Sequence, residues 1–173
     1  CLGCDGHPVL ETPYLDELAE QGAHFKHAYT SVPSCTPARA GIITGMDQWN
    51  HGRLTMTGKQ ALEYPATLPG ELAKAGYHTQ AVGKMHHAPQ RKLYGFHHMV
   101  LDESSRQTGN FISDYHLWFE ENKEGAYGYR DHSIDWNSWM GRPSHLPEHL
   151  HPTHWTASEG IKFLQQRDPS KPF

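Results

Sequence analysis

Cys35 stands directly before Thr36-Pro37-Ala38-Arg39 in "SVPSCTPARAGIITG", residues 31–45. A thiol at a helix start faces free backbone N–H groups, which favour an anion. Arg39 lies four residues on, so it shares a helix face with Cys35 one turn up. A guanidinium there can donate two hydrogen bonds to adjacent oxygens. Together these groups suit a tetrahedral oxyanion. Taken alone, the same spacing also suits a small buried cysteine beside a structural arginine. A second group, Gly83-Lys84-Met85-His86-His87, closes an apolar run. Alternation at a strand end would turn Lys84 and His86 toward one pocket. Taken alone, that run is also a polar loop.

Other reactive residues carry less. Cys1 and Cys4 form C-x-x-C, but Gly6-His7-Pro8 reads as a turn where a redox motif needs a helix. Three cysteines leave one unpaired and leave the compartment open. Fifteen histidines raise a metal question. His145 and His149 have helical spacing, but Pro147 lies between them. No H-E-x-x-H or cysteine–histidine zinc pattern occurs, so the histidines read as loop residues and pocket donors.

Elements that position these groups follow from capping residues and periodicity. Residues 12–22 predict a helix with Thr12 as cap, Pro13 at the first position and Gly22 as stop. Residues 23–29 alternate and predict a strand. A helix follows Cys35, with Thr36 as N-cap, Pro37 first and Gly45 as stop. Residues 66–76 repeat this logic with Thr67 and Gly76, and 77–84 predict a strand. Residues 85–110 read as loops over the sheet edge. A helix is expected over 111–125, with Trp118 and Phe119 as core residues. Residues 126–152, with Trp136 and Trp139, read as an excursion outside the core. A final helix covers 153–168, capped by Thr153 or Thr156. Helices alternate with strands, so the class is α/β: a mostly parallel sheet flanked by helices, in one domain over 1–173.

Composition narrows the functions. The chain has 173 residues and a formal charge of −4, and its mean hydropathy is −0.73. No basic block suits a phosphate backbone or an anionic membrane surface. No apolar run reaches the ~20 residues of a membrane span. No signal-peptide pattern stands at the start, and a chain opening on Cys1 and closing on "DPSKPF" reads as truncated at both ends.

The context of Cys35 then chooses between its readings. "CTPARAGIITG" resembles the signature of the type I, formylglycine-dependent sulfatases, C-x-P-S/A-R leading to T-G. Upstream, "TPYLDELAEQGAHFKHAY" is similar to the family's lead into that cysteine. Downstream, "HG" at 51–52 and "AGYHTQAVGKMH" at 75–86 resemble the segment ending in G-K-x-H. The resemblance extends to the tail "PTHWTASEGIKFLQQRDPSKPF" and covers nearly the whole chain.

The resemblance implies part of an alkaline phosphatase-like domain that hydrolyses sulfuric esters. Cys35 would be oxidised by a maturation enzyme to formylglycine (3-oxoalanine), with Pro37 and Arg39 as parts of the recognised motif. One hydroxyl of the aldehyde hydrate would attack sulfur as the alcohol leaves, and the second would expel sulfate by re-forming the aldehyde. Arg39 would support that side chain, Lys84 would neutralise sulfate oxygens, and His86 would orient or deprotonate the hydroxyl. His87 is a lesser candidate. A divalent cation, Ca2+ in most of the family, would touch position 35; its other ligands would lie outside these residues, and Asp5 is not one of them. The substrate would be a small sulfate ester or a sulfated glycan. Alternatives are a phosphonate or phosphate monoester hydrolase of the same superfamily, and a non-catalytic remnant that keeps the oxyanion pocket. A histidine-rich metal-binding protein ranks lower.

Overall fold

The computed structural model describes residues 1–56, 63–103, 110–131 and 139–173. Two compact units divide the chain, Cys1–Thr30 and Ser31–Phe173.

In the first unit a 3-10 turn, Gly3–Asp5, precedes helix α1, Pro13–Gln21. Thr12 and Pro13 take their expected places, but the Thr12 hydroxyl does not cap the helix. It accepts from the Gly3 N–H (2.8 Å) and donates to Asp16 Oδ1 (2.8 Å), which also accepts from Cys4 N–H (2.7 Å). The expected strand over 23–29 does not form. Its alternation lacks what makes a strand: an adjacent edge that takes up its N–H and C=O groups. Phe25 and Tyr29 are both exposed.

In the second unit helix α2 runs Cys35–Thr44 and ends at Gly45, whose φ of 68° is the left-handed cap expected of it. Its start differs from expectation. Ser34 is the N-cap and Cys35 the first helical residue. Pro37 falls in the first turn, where a missing N–H costs no helical bond. A short helix α3, Gln48–His51, follows, with Asp47 capping the Trp49 and Asn50 N–H groups. Helix α4, Leu68–Lys74, has Thr67 as a true cap on Gly70 N–H. Gly76 stands two residues past its end with φ 90°.

Strand β1 is shorter than expected, Gln80–Gly83, and pairs in parallel with β2, His98–Leu101. The stretch read as loops over 85–110 therefore contains a strand. Its His98-Met99-Val100-Leu101 pattern places buried residues at alternate positions, Met99 and Leu101. Parallel neighbours require a crossover of about a dozen residues or more. Here residues 84–97 make it with turns and no helix.

Ala81, Met99 and Leu101 form one core cluster with Met85, Phe96 and Phe111 against it. A second cluster joins Tyr115, Phe119, Leu146, Leu150 and Trp155, with Trp118 packed alongside. Phe119 and Trp118 thus play the expected core roles, in helix α5, Asp114–Asn122. Residues 126–152 are more than an excursion: Leu146 and Leu150 are core residues, and the Tyr115 hydroxyl donates to the Leu150 carbonyl at 2.8 Å. Trp139 is fully exposed, and Trp136 lies outside the described residues. The final helix α6, Pro152–Gln166, is capped by His151, which accepts from Thr153 N–H, and not by Thr153 or Thr156. A histidine ring nitrogen can cap as a hydroxyl does when it is unprotonated.

Helix α6 packs on β1 at Gly83, whose φ of 92° suits glycine; a Cβ there would stand 3.1 Å from Thr156 Cγ2. Gly83→Ala should therefore lower stability by about 2 kcal/mol. Urea denaturation should also show Thr156→Ser recovering part of that loss, since the smaller side chain relieves contact but not the dihedral.

Beside it, Asp114 ties α5 to β2. Its carboxylate accepts from Leu101 N–H at 2.7 Å and takes Arg91 in a two-point contact at 2.6 and 2.7 Å. Burial alone would raise its pKa, but Arg91 and the Leu101 amide prevail and hold it below the ordinary value. Asp114→Asn should cost about 1 kcal/mol at neutral pH, because the pair is half-exposed. The difference from wild type should shrink as pH falls through the depressed Asp114 pKa.

Candidate active site

The N-terminus of α2 and the first residues after β1 meet through one hydrogen bond. Arg39 Nη1 donates to the Lys84 carbonyl at 2.7 Å. The guanidinium thus reaches from the Cys35 face of α2 to the Lys84–His86 segment. Cys35 is half-buried, and its Sγ lies 3.4 Å from Met56 Sδ. Thr36 and Pro37 are buried beneath it.

Lys84 and His86 are not presented by strand alternation. β1 ends at Gly83, and His86 has φ 56°, in the left-handed region. The segment turns instead of extending. Lys84 is exposed, while His86 is half-buried and lines a small cavity with Thr36, Arg53 and His87. That cavity has room for about one water molecule. The structure thus joins Arg39 to Lys84 directly and sets His86 on the cavity that Thr36 lines, one residue from Cys35.

Glu103, which sequence reasoning passed over, completes the arrangement together with His51 and His87, which it names. Glu103 is buried, and its Oε1 accepts from the Met85 N–H at 2.8 Å and from the His86 N–H. It sits just past β2, in a stretch read as loop, and one acidic letter after an apolar run gave no signal. His51 of the "HG" pair is buried, with Nδ1 accepting from Arg53 N–H at 3.1 Å. His87 packs on Tyr94, with ring centroids 4.7 Å apart. Burial first, then the charges of Arg39 and Arg53, pull its pKa down to about 4.

The residues 2–173 match the family model described as Sulfatase. The chain belongs to the sulfatase family. It is 44% identical over 184 residues to an arylsulfatase of Clostridium perfringens (strain 13 / Type A), covering 100% of this chain and 38% of that protein. It is 40% identical over 174 residues to an uncharacterized sulfatase, YidJ, of Escherichia coli (strain K12), covering 95% of this chain and 32% of that one. The chain thus spans well under half the length of these curated relatives. Among solved structures, the phosphonate monoester hydrolase of Agrobacterium radiobacter superposes with a TM-score of 0.71 at 21% identity, over 100% of this chain and 36% of that chain. That likeness shows the α/β fold.

Sulfatase membership implies a metal ion and a modified cysteine for the family in general. The side chains placed around α2 and the crossover do not fit a hard cation. Arg39, Arg53, His86 and His87 are nitrogen groups, and the carboxylate there, Glu103, is taken up by the Met85 and His86 amides, whereas such an ion takes several oxygens. Among the described residues, metal-type donors do gather elsewhere: Cys4, Asp5 and His24 lie within 4.8 Å of one another, in the first unit. They are already engaged. His24 Nε2 and Lys26 Nζ both sit on Asp5 Oδ1, at 3.0 and 3.4 Å. Desolvation and the Asp16 carboxylate push the Cys4 thiol up, toward its protonated form. No helix is long and apolar enough to cross a membrane among the described residues.

His87 supplies a pH test. Its folded pKa is about 4 and its ordinary one 6.5, so the unfolded chain binds more protons between those values. The stability it contributes is complete above pH 6.5 and declines as pH falls toward 4, by an amount on the order of 3 kcal/mol. Unfolding free energies measured across that window should fall for wild type and stay flatter for His87→Gln.

Proposed function

We propose that the protein carrying this chain is a sulfuric ester hydrolase whose reacting position is Cys35. The observation that carries the reading is the Arg39–Lys84 hydrogen bond, which joins the two segments whose residues resemble the family's site. The 44% identity to an arylsulfatase over the whole chain supports the same reaction class.

Oxidised to formylglycine by a maturation enzyme, position 35 would supply the hydroxyl that attacks sulfur. The chain's own groups would do the rest. The first turn of α2 offers its free N–H groups to an anion. Arg39 would hold the cysteine-bearing turn against the crossover and add positive charge. Lys84, which is exposed, would neutralise sulfate oxygens as charge shifts in the transition state. His86 would orient or deprotonate the attacking hydroxyl. A divalent cation, proposed as Ca2+, would touch the modified position 35 and take its other oxygen ligands from outside these residues. Pro37 is fully buried, so a maturation enzyme that reads Cys35, Pro37 and Arg39 must meet them before α2 packs. The substrate class is a sulfate ester, of a small alcohol or phenol or of a glycan.

Rates on an aryl sulfate and an aryl phosphate, measured side by side in the mature protein, test the reading. Sulfate carries less charge than a phosphomonoester, and the sulfate ester should be the better substrate. Cys35→Ala should abolish turnover, and Arg39→Ala should lower kcat by about 10²-fold or more. Turnover that survives Cys35→Ala, or a preference for the phosphate, would overturn it.

A further inference from the structure

We propose that Glu103 is a positioning residue for this site, fixing His86 by clamping the Met85 and His86 amides. The inference rests on the reading of His86 given above. Glu103 is 2% exposed, and a buried carboxylate persists only where hydrogen bonds compensate it. One oxygen, Oε1, accepts both amides. The residue is delivered there by the sheet: Asp102 N–H donates to the Gly83 carbonyl at 3.2 Å, extending the β1–β2 pairing to the point where both strands end.

The Lys84 carbonyl and the Met85 N–H belong to one peptide group. Arg39 donates to its oxygen at 2.7 Å, and Glu103 accepts from its nitrogen at 2.8 Å. A cation at the C=O end and an anion at the N–H end both favour the peptide dipole in this one orientation. The next residue, His86, has φ 56°, which non-glycine residues rarely adopt. The hydrogen bond from its N–H to Glu103 Oε1 holds it there. The direction of the imidazole is thus set from two sides: by α2, which bears Cys35, and by the end of β2. Glu103 touches no reacting group in this arrangement. It acts through the backbone of His86.

The test uses the full-length, mature protein with Glu103→Ala and Glu103→Gln. The glutamine carbonyl oxygen can accept both amides. In Glu103→Ala, kcat on an aryl sulfate should fall at least about tenfold with KM changed by less than about threefold; Glu103→Gln should stay within about threefold of wild type in both. Methionine labelled at its carbonyl carbon and histidine labelled at nitrogen report on the Met85–His86 peptide, the one Met–His step in this sequence. Its amide proton should move upfield in Glu103→Ala and remain in place in Glu103→Gln. A folded Glu103→Ala with unchanged kcat, or with that resonance unmoved, overturns the proposal. If Glu103→Ala does not fold, Glu103→Asp, one methylene shorter, replaces it under the same criteria. A wild-type protein without turnover on the sulfate sinks the hydrolase reading instead, and the labelled amide then judges the clamp by itself.

Discussion

The Lys84–Met85 peptide group is the constraint on which the rest of the site depends. Its oxygen is held by the guanidinium of α2 and its nitrogen by a buried carboxylate at the end of β2. Around that unit the chain reverses from strand to crossover through two left-handed residues, Gly83 and His86. Two parallel strands alone would leave the crossover free to choose its path. Charge-assisted bonds to both ends of one peptide remove that freedom, and they do so from elements whose own positions the core fixes. Met99 and Leu101 anchor β2 in one apolar cluster, while Thr36, Pro37, Ala40 and Ile43 bury one face of α2.

The chemistry follows from what this arrangement gathers. The N-terminus of α2, Arg39, Arg53 and two imidazoles make a nitrogen-rich environment suited to oxygens of an anion. His87 is neutral above its lowered pKa, so it adds a polar wall and no charge near neutral pH. In the proposed site, selection for anions would therefore come from arginine, lysine and backbone dipoles.

Much of this was legible in the sequence where a local rule governs. The stops at Gly45 and Gly76, the Thr67 cap and the core role of Phe119 follow from residue type and spacing. Cys35, Arg39, Lys84 and His86 could be named because their motifs are contiguous. What was not legible depends on tertiary partners. The alternation at 23–29 reads as a strand but finds no pairing edge among the described residues. The four residues of β2 sit among histidines and polar groups that masked their alternation. Ser34, not Thr36, begins α2, a shift of two residues that no propensity separates when serine, threonine and proline are clustered. His151 caps α6 although hydroxyls stand nearby. Glu103 could not have been found at all, since its role arises from a contact across 17 and 18 residues of chain.

The central claim is that Cys35 is the reacting position of a sulfuric ester hydrolase. The most direct measurement is mass spectrometry of the peptide spanning residue 35, from protein isolated from its native source and digested under conditions that preserve aldehydes. The account predicts an aldehyde or its hydrate at position 35 in the mature protein. An unmodified thiol at Cys35 throughout the active preparation would contradict it.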